Sequence, residues 1–265
     1  MKCLYVDLDG TLLGPGASLL RAAGGGFSLD GVRALQACDR AGVEVVIYSG
    51  RRQSSVFEVA RVIGSSAYIF EIGCGLVLDG ELEWLTDGLE PRDGASIFDQ
   101  ITATGAPALL LERYAGRLEL HTPWQLGREV SHLFRGLVDT TEANELVAPH
   151  GLRLVDNGVI NLSLGEIPFV HVYHLIPAGS SKARGVARHM QARGYRREDC
   201  IAVGDSREDL EAADVVAMFW LVANAPERDP TLSEEIAGRP AIRVAEGMYG
   251  AGVYEAVVTT LAGRR

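Results

Sequence analysis

Four short clusters of polar residues in this 265-residue chain have the composition to do chemistry. The first is Asp7-Leu8-Asp9-Gly10-Thr11, where two aspartates end the apolar run Cys3-Leu4-Tyr5-Val6. If that run is a buried strand, Asp7 and Asp9 share a face, with Leu8 opposite. Two carboxylates so placed repel each other unless a positive group joins them, and a hard cation with oxygen ligands suits the pair. Charges at the end of a buried strand are costly, which favours a functional reading over a structural one. The other clusters are Ser49-Gly50-Arg51, Ser180-Ser181-Lys182 and Gly204-Asp205-Ser206-Arg207-Glu208-Asp209. Taken singly, each has a plain explanation: a turn, a solvated helix lysine, a helix-face carboxylate. Taken together, they offer carboxylates for a divalent ion, a hydroxyl and a lysine for anionic oxygens, and a carboxylate free to attack. Mg²⁺ fits, because it takes few protein oxygens and keeps waters and a substrate phosphate. Metal and lysine would screen an acidic pocket enough to admit a phosphate dianion.

These clusters can meet only if the intervening elements form a parallel sheet, since ligands then gather beyond the carboxyl ends of the strands. The pattern supplies one. Strands are expected at 3–6, 43–48, 67–70, 200–203 and 241–244. Helices are expected at 30–41, 53–63, 182–193 and 252–261, several of them stopped by a glycine such as Gly42 or Gly194. Apolar residues 215–218 and 220–223 form one further strand or two. This βα alternation is interrupted. Residues 76–85 read as a hairpin turning at Asp79-Gly80. Beyond it the sequence predicts a helix at 98–102, strands at 108–113 and 117–121, and a helix at 124–137. A second hairpin is expected from 152–156 and 159–164, turning at Asn157-Gly158. The expected fold is therefore α/β: a Rossmann-like parallel-sheet core (residues 1–79 and 172–265) with an inserted α+β module at 80–171.

Hydrophobic residues make up 47% of the chain, enough for a large core. Its net charge of −10 argues against nucleic acid as a main partner. Cys3, Cys38, Cys74 and Cys200 include no CxxC pair, which argues against a zinc site. No signal pattern precedes the first strand, and no apolar run reaches the roughly 18–20 residues of a membrane span. With free thiols this reads as a cytoplasmic protein, monomer or homodimer, without membrane or nucleic-acid partners.

The four clusters, in order and spacing over almost the whole chain, resemble the motifs of the haloacid dehalogenase superfamily of phosphohydrolases. The insertion point resembles the subgroup with a large α/β cap. That subgroup includes sucrose-phosphate, mannosyl-phosphoglycerate and Cof-type sugar phosphatases, and phosphomannomutases. The resemblance implies a Mg²⁺-dependent phosphatase acting on a small phosphorylated metabolite, foremost a sugar phosphate. The alternatives are a phosphomannomutase-like transfer enzyme and a non-catalytic sugar-phosphate-binding protein. It implies Asp7 as nucleophile and Asp9 as acid and base. Asp7, Asp205 and the Asp9 carbonyl would hold the metal, with Asp209 orienting its shell. Thr11, Ser49, Gly50 and Lys182 would hold the phosphate. The chain departs from many such relatives at Glu71-Ile72-Gly73, where they have Glu-Asn-Gly, and at Glu208, where they have Asn. Specificity is expected from Arg51, Glu208, Arg113 and Asn161, with His121, His150, Arg153, Asn157 and Ser163 as further candidates. His171 and His174 read as structural, and cap hinges are expected near Gly80 and at 170–177.

Overall fold

The computed structural model describes residues 1–160 and 162–263. The chain opens with β1 (Cys3–Val6), α1 (Asp30–Arg40), β2 (Glu44–Tyr48), α2 (Gln53–Ile63) and β3 (Ala67–Phe70), followed by β4 (Gly75–Leu78) and β5 (Glu81–Trp84). A second group comprises α3 (Ile97–Ala103), α4 (Ala106–Arg113), β6 (Leu118–Leu120), β7 (His132–Gly136), α5 (Thr140–Val147), β8 (Leu152–Ile160) and β9 (Val170–Pro177). The chain then returns through α6 (Lys182–Arg193), β10 (Cys200–Gly204), α7 (Arg207–Leu210), β11 (Met218–Leu221), α8 (Asn224–Arg228), α9 (Thr231–Glu235), β12 (Ile242–Val244) and α10 (Gly250–Ala262).

Among the described residues the strands form two sheets. The larger runs β12-β11-β10-β1-β2-β3-β4-β5 and is parallel as far as β3, with β4 and β5 antiparallel at its edge. Its period-two alternation divides β1 between two cores. Leu4 and Val6 pack with α1, α2 and α10 through Ala34, Cys38, Val56, Ala60, Val253 and Ala256. Cys3 and Tyr5 face α6 and α7 through Val186, Met190 and Leu210. Both faces being covered explains why β1, β3 and β10 are continuously apolar. The smaller sheet, β6-β7-β9-β8, is antiparallel and packs on α3, α4 and α5 through a third core that includes Leu110, Phe134, Val147 and Tyr173.

The βα units and the Asp79-Gly80 hairpin lie where the pattern put them, and both turn residues have positive φ. Inside the second group the pattern misled three times. Residues 108–113 belong to helix α4, started by Pro107 in its first turn, with Leu110 buried and Arg113 outward. Residues 124–137 are not a helix; a turn leads into β7, inserted between β6 and β9. The Asn157-Gly158 turn is instead a bulge within β8, whose partner throughout is β9. Asp156 accepts from the Gly158 amide at 2.8 Å and shapes that bulge. Residues 215–223 yield one strand, β11. The strands also move the expected seams: β5 remains in the large sheet, and β9 pairs wholly within the small one.

His132 on β7 gives the small sheet a pH dependence. Its ring is buried, stacks on Phe98 at 3.8 Å, and shares a 2.9 Å hydrogen bond with Thr102. Burial, with Arg128 nearby, pushes it down to about 4. A histidine depressed below its unfolded value must take up a proton on unfolding in acid. Stability is therefore complete above the unfolded value and is lost as pH falls from about 6.5 towards 4, by roughly 3 kcal/mol for this one ring. Thermal midpoints should fall over that window, and His132→Phe, which keeps the stack, should flatten the slope. An unchanged slope would refute the assignment.

Candidate active site

The site begins where β1 ends. The Asp7 amide donates to the Val203 carbonyl at 3.0 Å, fixing Asp7 beside β10. The chain then turns back tightly, with the amides of Leu12 and Leu13 bonded to the Asp7 and Leu8 carbonyls. Gly10 makes that turn possible at φ +89°, and a Cβ there would lie 2.2 Å from Asp205 Oδ2. Gly10→Ala should therefore displace Asp205 and lower catalytic rate by about 10²-fold, the scale of an ångström-sized misplacement. Steady-state kinetics at the wild-type level would show that the turn tolerates it.

Lys182, at the first position of α6, is almost wholly buried. Its Nζ donates to Asp7 Oδ1 at 2.8 Å and Asp209 Oδ1 at 2.6 Å, and lies 5.0 Å from the centre of the Tyr48 ring. Burial alone would lower this ammonium, but the Asp209 and Asp7 carboxylates outweigh it and hold it above the ordinary lysine range. Burial pushes the Asp7 carboxyl up, against the pull of Lys182. Asp209 Oδ2 accepts from the Asp205 and Ser206 amides at 3.1 and 3.0 Å and from Ser206 Oγ at 2.7 Å. Asp209 thus holds the loop and the lysine together. Asp205 accepts from Thr11 Oγ1 at 3.1 Å and from Arg228 at 2.6 Å.

Donor atoms of Asp7, Asp205 and Asp209 all lie within 4.8 Å of one another, and the three residues are buried. Such an all-oxygen set, with three carboxylates facing Lys182 and Arg228, retains one negative charge in excess. A hard divalent cation fits these residues. The Asp9 carboxylate stands apart. It is half exposed and paired bidentately with Arg51 at 2.5 and 2.6 Å. Regular strand geometry ends at Val6, and both aspartates border the same cavity, Asp7 paired with Lys182 and Asp9 with Arg51.

Asp7, Asp9, Gly10, Ser49, Gly50, Arg51, Lys182 and Asp205 line one cavity of about 620 Å³. Its far wall comes from the small sheet and its loops: His121, Trp124, Arg128, Asn157 and His174. His121 is buried there, and its Nδ1 meets no partner among the described residues. Thr11 and Asp209 lie beneath the floor as supports. Other expected contacts fail for identifiable reasons. Arg113 is on the surface, paired with Glu142 across α4 and α5. Glu208 turns away from the cavity and accepts from Arg153 at 3.0 Å; burial pushes it up to about 7. Arg153 also donates to the Ser180 carbonyl at 3.1 Å, so it joins the two sheets rather than facing substrate. His171 pairs with Asp156 at 2.8 Å, and neither it, His150 nor Ser163 borders the cavity. His174, read as structural, is a wall residue. Asn161 lies outside the described residues.

Arg52, Arg128 and Arg228 were not legible as site residues. Arg228 had a signal: it follows the end of β11 at the same sheet edge as the motifs. Arg128 had none. Its guanidinium donates to the Gly50 carbonyl and, at 2.8 Å, to Ser131 Oγ.

No protein-family model matches the chain. Two curated proteins called phosphoglycolate phosphatase are similar to it along nearly their whole lengths. That of Methanoculleus marisnigri is 28% identical over 262 residues, covering 97% of this chain and 95% of its own. That of Pyrobaculum neutrophilum is 29% identical over 263 residues, covering 99% and 96%. Among solved structures, the sucrose-phosphatase of Synechocystis, in complex with sucrose and phosphate, superposes with a TM-score of 0.66 at 15% identity, over 97% of both chains. A haloacid dehalogenase-like hydrolase of B. subtilis gives 0.60 at 18% identity, over 97% of this chain and 99% of its own.

Proposed function

Starting from the haloacid dehalogenase superfamily of phosphohydrolases, to which this chain belongs, we propose that it hydrolyses a small phosphomonoester through a covalent phosphate on Asp7. The observation that carries this reading is the buried Asp7–Lys182 pair on the cavity floor, with Asp209 beneath it. Lys182 opposes the burial that pushes Asp7 up and favours its carboxylate form, the form that attacks phosphorus. An Asp7 oxygen forms the new P–O bond as the bond to the substrate oxygen breaks. Ser49 and Lys182 hold the phosphoryl oxygens, and their fixed dipole and charge meet the developing charge. Asp9 protonates the departing alkoxide and then takes a proton from the water that cleaves the aspartyl phosphate. Arg51 must release Asp9 for either step, so substrate entry and the breaking of that ion pair are linked. Mg²⁺ held by Asp7, Asp205 and the Asp9 carbonyl would supply further neutralisation of phosphoryl charge. The small-sheet module (the cap) would set specificity through its wall of the cavity.

Phosphoglycolate is the first substrate to test, given what the curated relatives are called. The cationic lining from Arg51, Arg52, Arg128 and Arg228 suits a substrate with a second acid group. A small sugar phosphate is the second candidate, favoured by the cavity's volume of about 620 Å³. The test is phosphate release from both substrates and an aryl phosphate, with and without Mg²⁺, together with hydroxylamine capture of the acyl phosphate. Release without capture would sink the covalent route; no release from any of them would sink the hydrolase.

A further inference from the structure

At the opposite end of β1 from Asp7 lies a second group of metal-ligand types. Cys3 on β1, Glu44 on β2 and His189 on α6 have donor atoms within 4.8 Å of one another. Cys3 and His189 are fully buried, and Glu44 is partly so. Among the described residues His189 Nε2 has no hydrogen-bond partner, and it lies 3.6 Å from Glu44 Oε1. Metal bonds of about 2.0–2.3 Å at tetrahedral angles put donor atoms about 3.3–3.6 Å apart, so a small ion fits between them after minor adjustment.

The surroundings are those of a ligand set. His189 Nδ1 shares a 2.8 Å hydrogen bond with Tyr5 Oη, which fixes the ring with Nε2 inward. Glu44 accepts from Tyr195 Oη at 2.9 Å and from Arg193 Nε at 3.1 Å, which orient its carboxylate. Cys200 is the register partner of Cys3 across β1 and β10.

We propose that Cys3, Glu44 and His189 form a second metal site, taking a borderline-soft divalent ion such as Zn²⁺, with water or Cys200 in the fourth position. A sulfur, nitrogen and oxygen set selects such an ion over Mg²⁺. Binding replaces the Cys3 S–H proton, which leaves to solvent. No CxxC spacing announces the site, because the sheet and α6 bring its members together. Its consequence reaches the catalytic floor. The Asp7–Lys182 ion pair ties β1 to α6 at one end, and the metal would tie the same two elements at the other.

The test is a Co²⁺ titration of metal-stripped full-length protein. One equivalent should produce thiolate-to-cobalt charge-transfer absorption. The all-oxygen Asp7–Asp205–Asp209 set cannot give that band, so failure here is separable from failure of the phosphatase reading. Zn²⁺ should bleach the band and raise the melting temperature. Cys3→Ser should abolish it, whereas Cys38→Ser and Asp205→Asn should leave it. Absence of the band at saturating Co²⁺ in the wild-type protein, or its survival in Cys3→Ser, overturns the proposal.

Discussion

Asp7→Asn is expected to reduce turnover of every phosphorylated substrate by about 10⁴-fold or more, the scale of losing a covalent nucleophile. The fold should not suffer. Asp7 is one of three carboxylates crowded within 4.8 Å, and removing its charge relieves repulsion from Asp209 and Asp205. Lys182 keeps its 2.6 Å bond to Asp209 and is not stranded. The melting temperature of the variant should therefore equal or exceed that of the wild type, the signature of a site whose function costs stability. Asp209→Asn should behave differently. It removes the charge facing the Lys182 ammonium and leaves one acceptor oxygen where two served, so either Lys182 or the loop that presents Asp205 meets an N–H₂ group, and stability should fall as well as rate. Phosphate release under saturating substrate, paired with thermal denaturation, separates the two. A destabilised Asp7→Asn protein would mean that Asp7 is a structural ion-pair partner first.

The contrast between those aspartates shows what the sequence could reveal. Asp7 was legible because two carboxylates closing an apolar strand have few structural excuses, and because strand ends of a parallel sheet converge. The same logic located Ser49, Lys182 and Asp205. It could not foresee that the Asp9 carboxylate would pair with Arg51, a contact made between the ends of two strands and absent from local pattern. In the small-sheet module the reasoning weakened. The apolar run 108–111 is short enough to suit a helix or a strand, and only packing on α3 and α5 settles it. Asn157-Gly158 has the composition of a hairpin turn, yet β9 pairs on both sides of it and leaves a bulge. Arg153 and Glu208 looked like substrate contacts because charged residues near a site invite that reading. Their partnership spans the two sheets and leaves no trace in local pattern.

The largest effect on the joint between the sheets is expected from Glu71. This carboxylate lies just after β3, fully buried, and accepts from the amides of Glu129, Val130 and Ser131 at 2.7, 3.2 and 2.6 Å. Ser131 Oγ donates to it at 2.8 Å, and the Arg128 guanidinium lies 3.7 Å away. Burial lowers that guanidinium, with Glu71 its chief opposing charge. The backbone is bent to suit: Glu71 and Ile72 both have positive φ, at 47° and 58°, which costs of order 1–3 kcal/mol for each. Two contacts hold that strain in place. Glu71 grips 129–131, and the Ile72 side chain packs in the core beneath the small sheet. Glu71→Gln turns an N–H₂ group towards amide donors and leaves Arg128 buried without its counterion, a loss of about 3–5 kcal/mol. That loss should be local first. Hydrogen exchange at Glu129, Val130 and Ser131 should accelerate by about 10²- to 10³-fold, ahead of amides in β1 and β10. Because Arg128 also holds the Gly50 carbonyl beside Ser49, KM should rise for a substrate that needs the cavity wall, and less for a small aryl phosphate. Exchange at 129–131 that stays as slow as in the wild type would show that the packing of Ile72, not the Glu71 carboxylate, holds the joint closed.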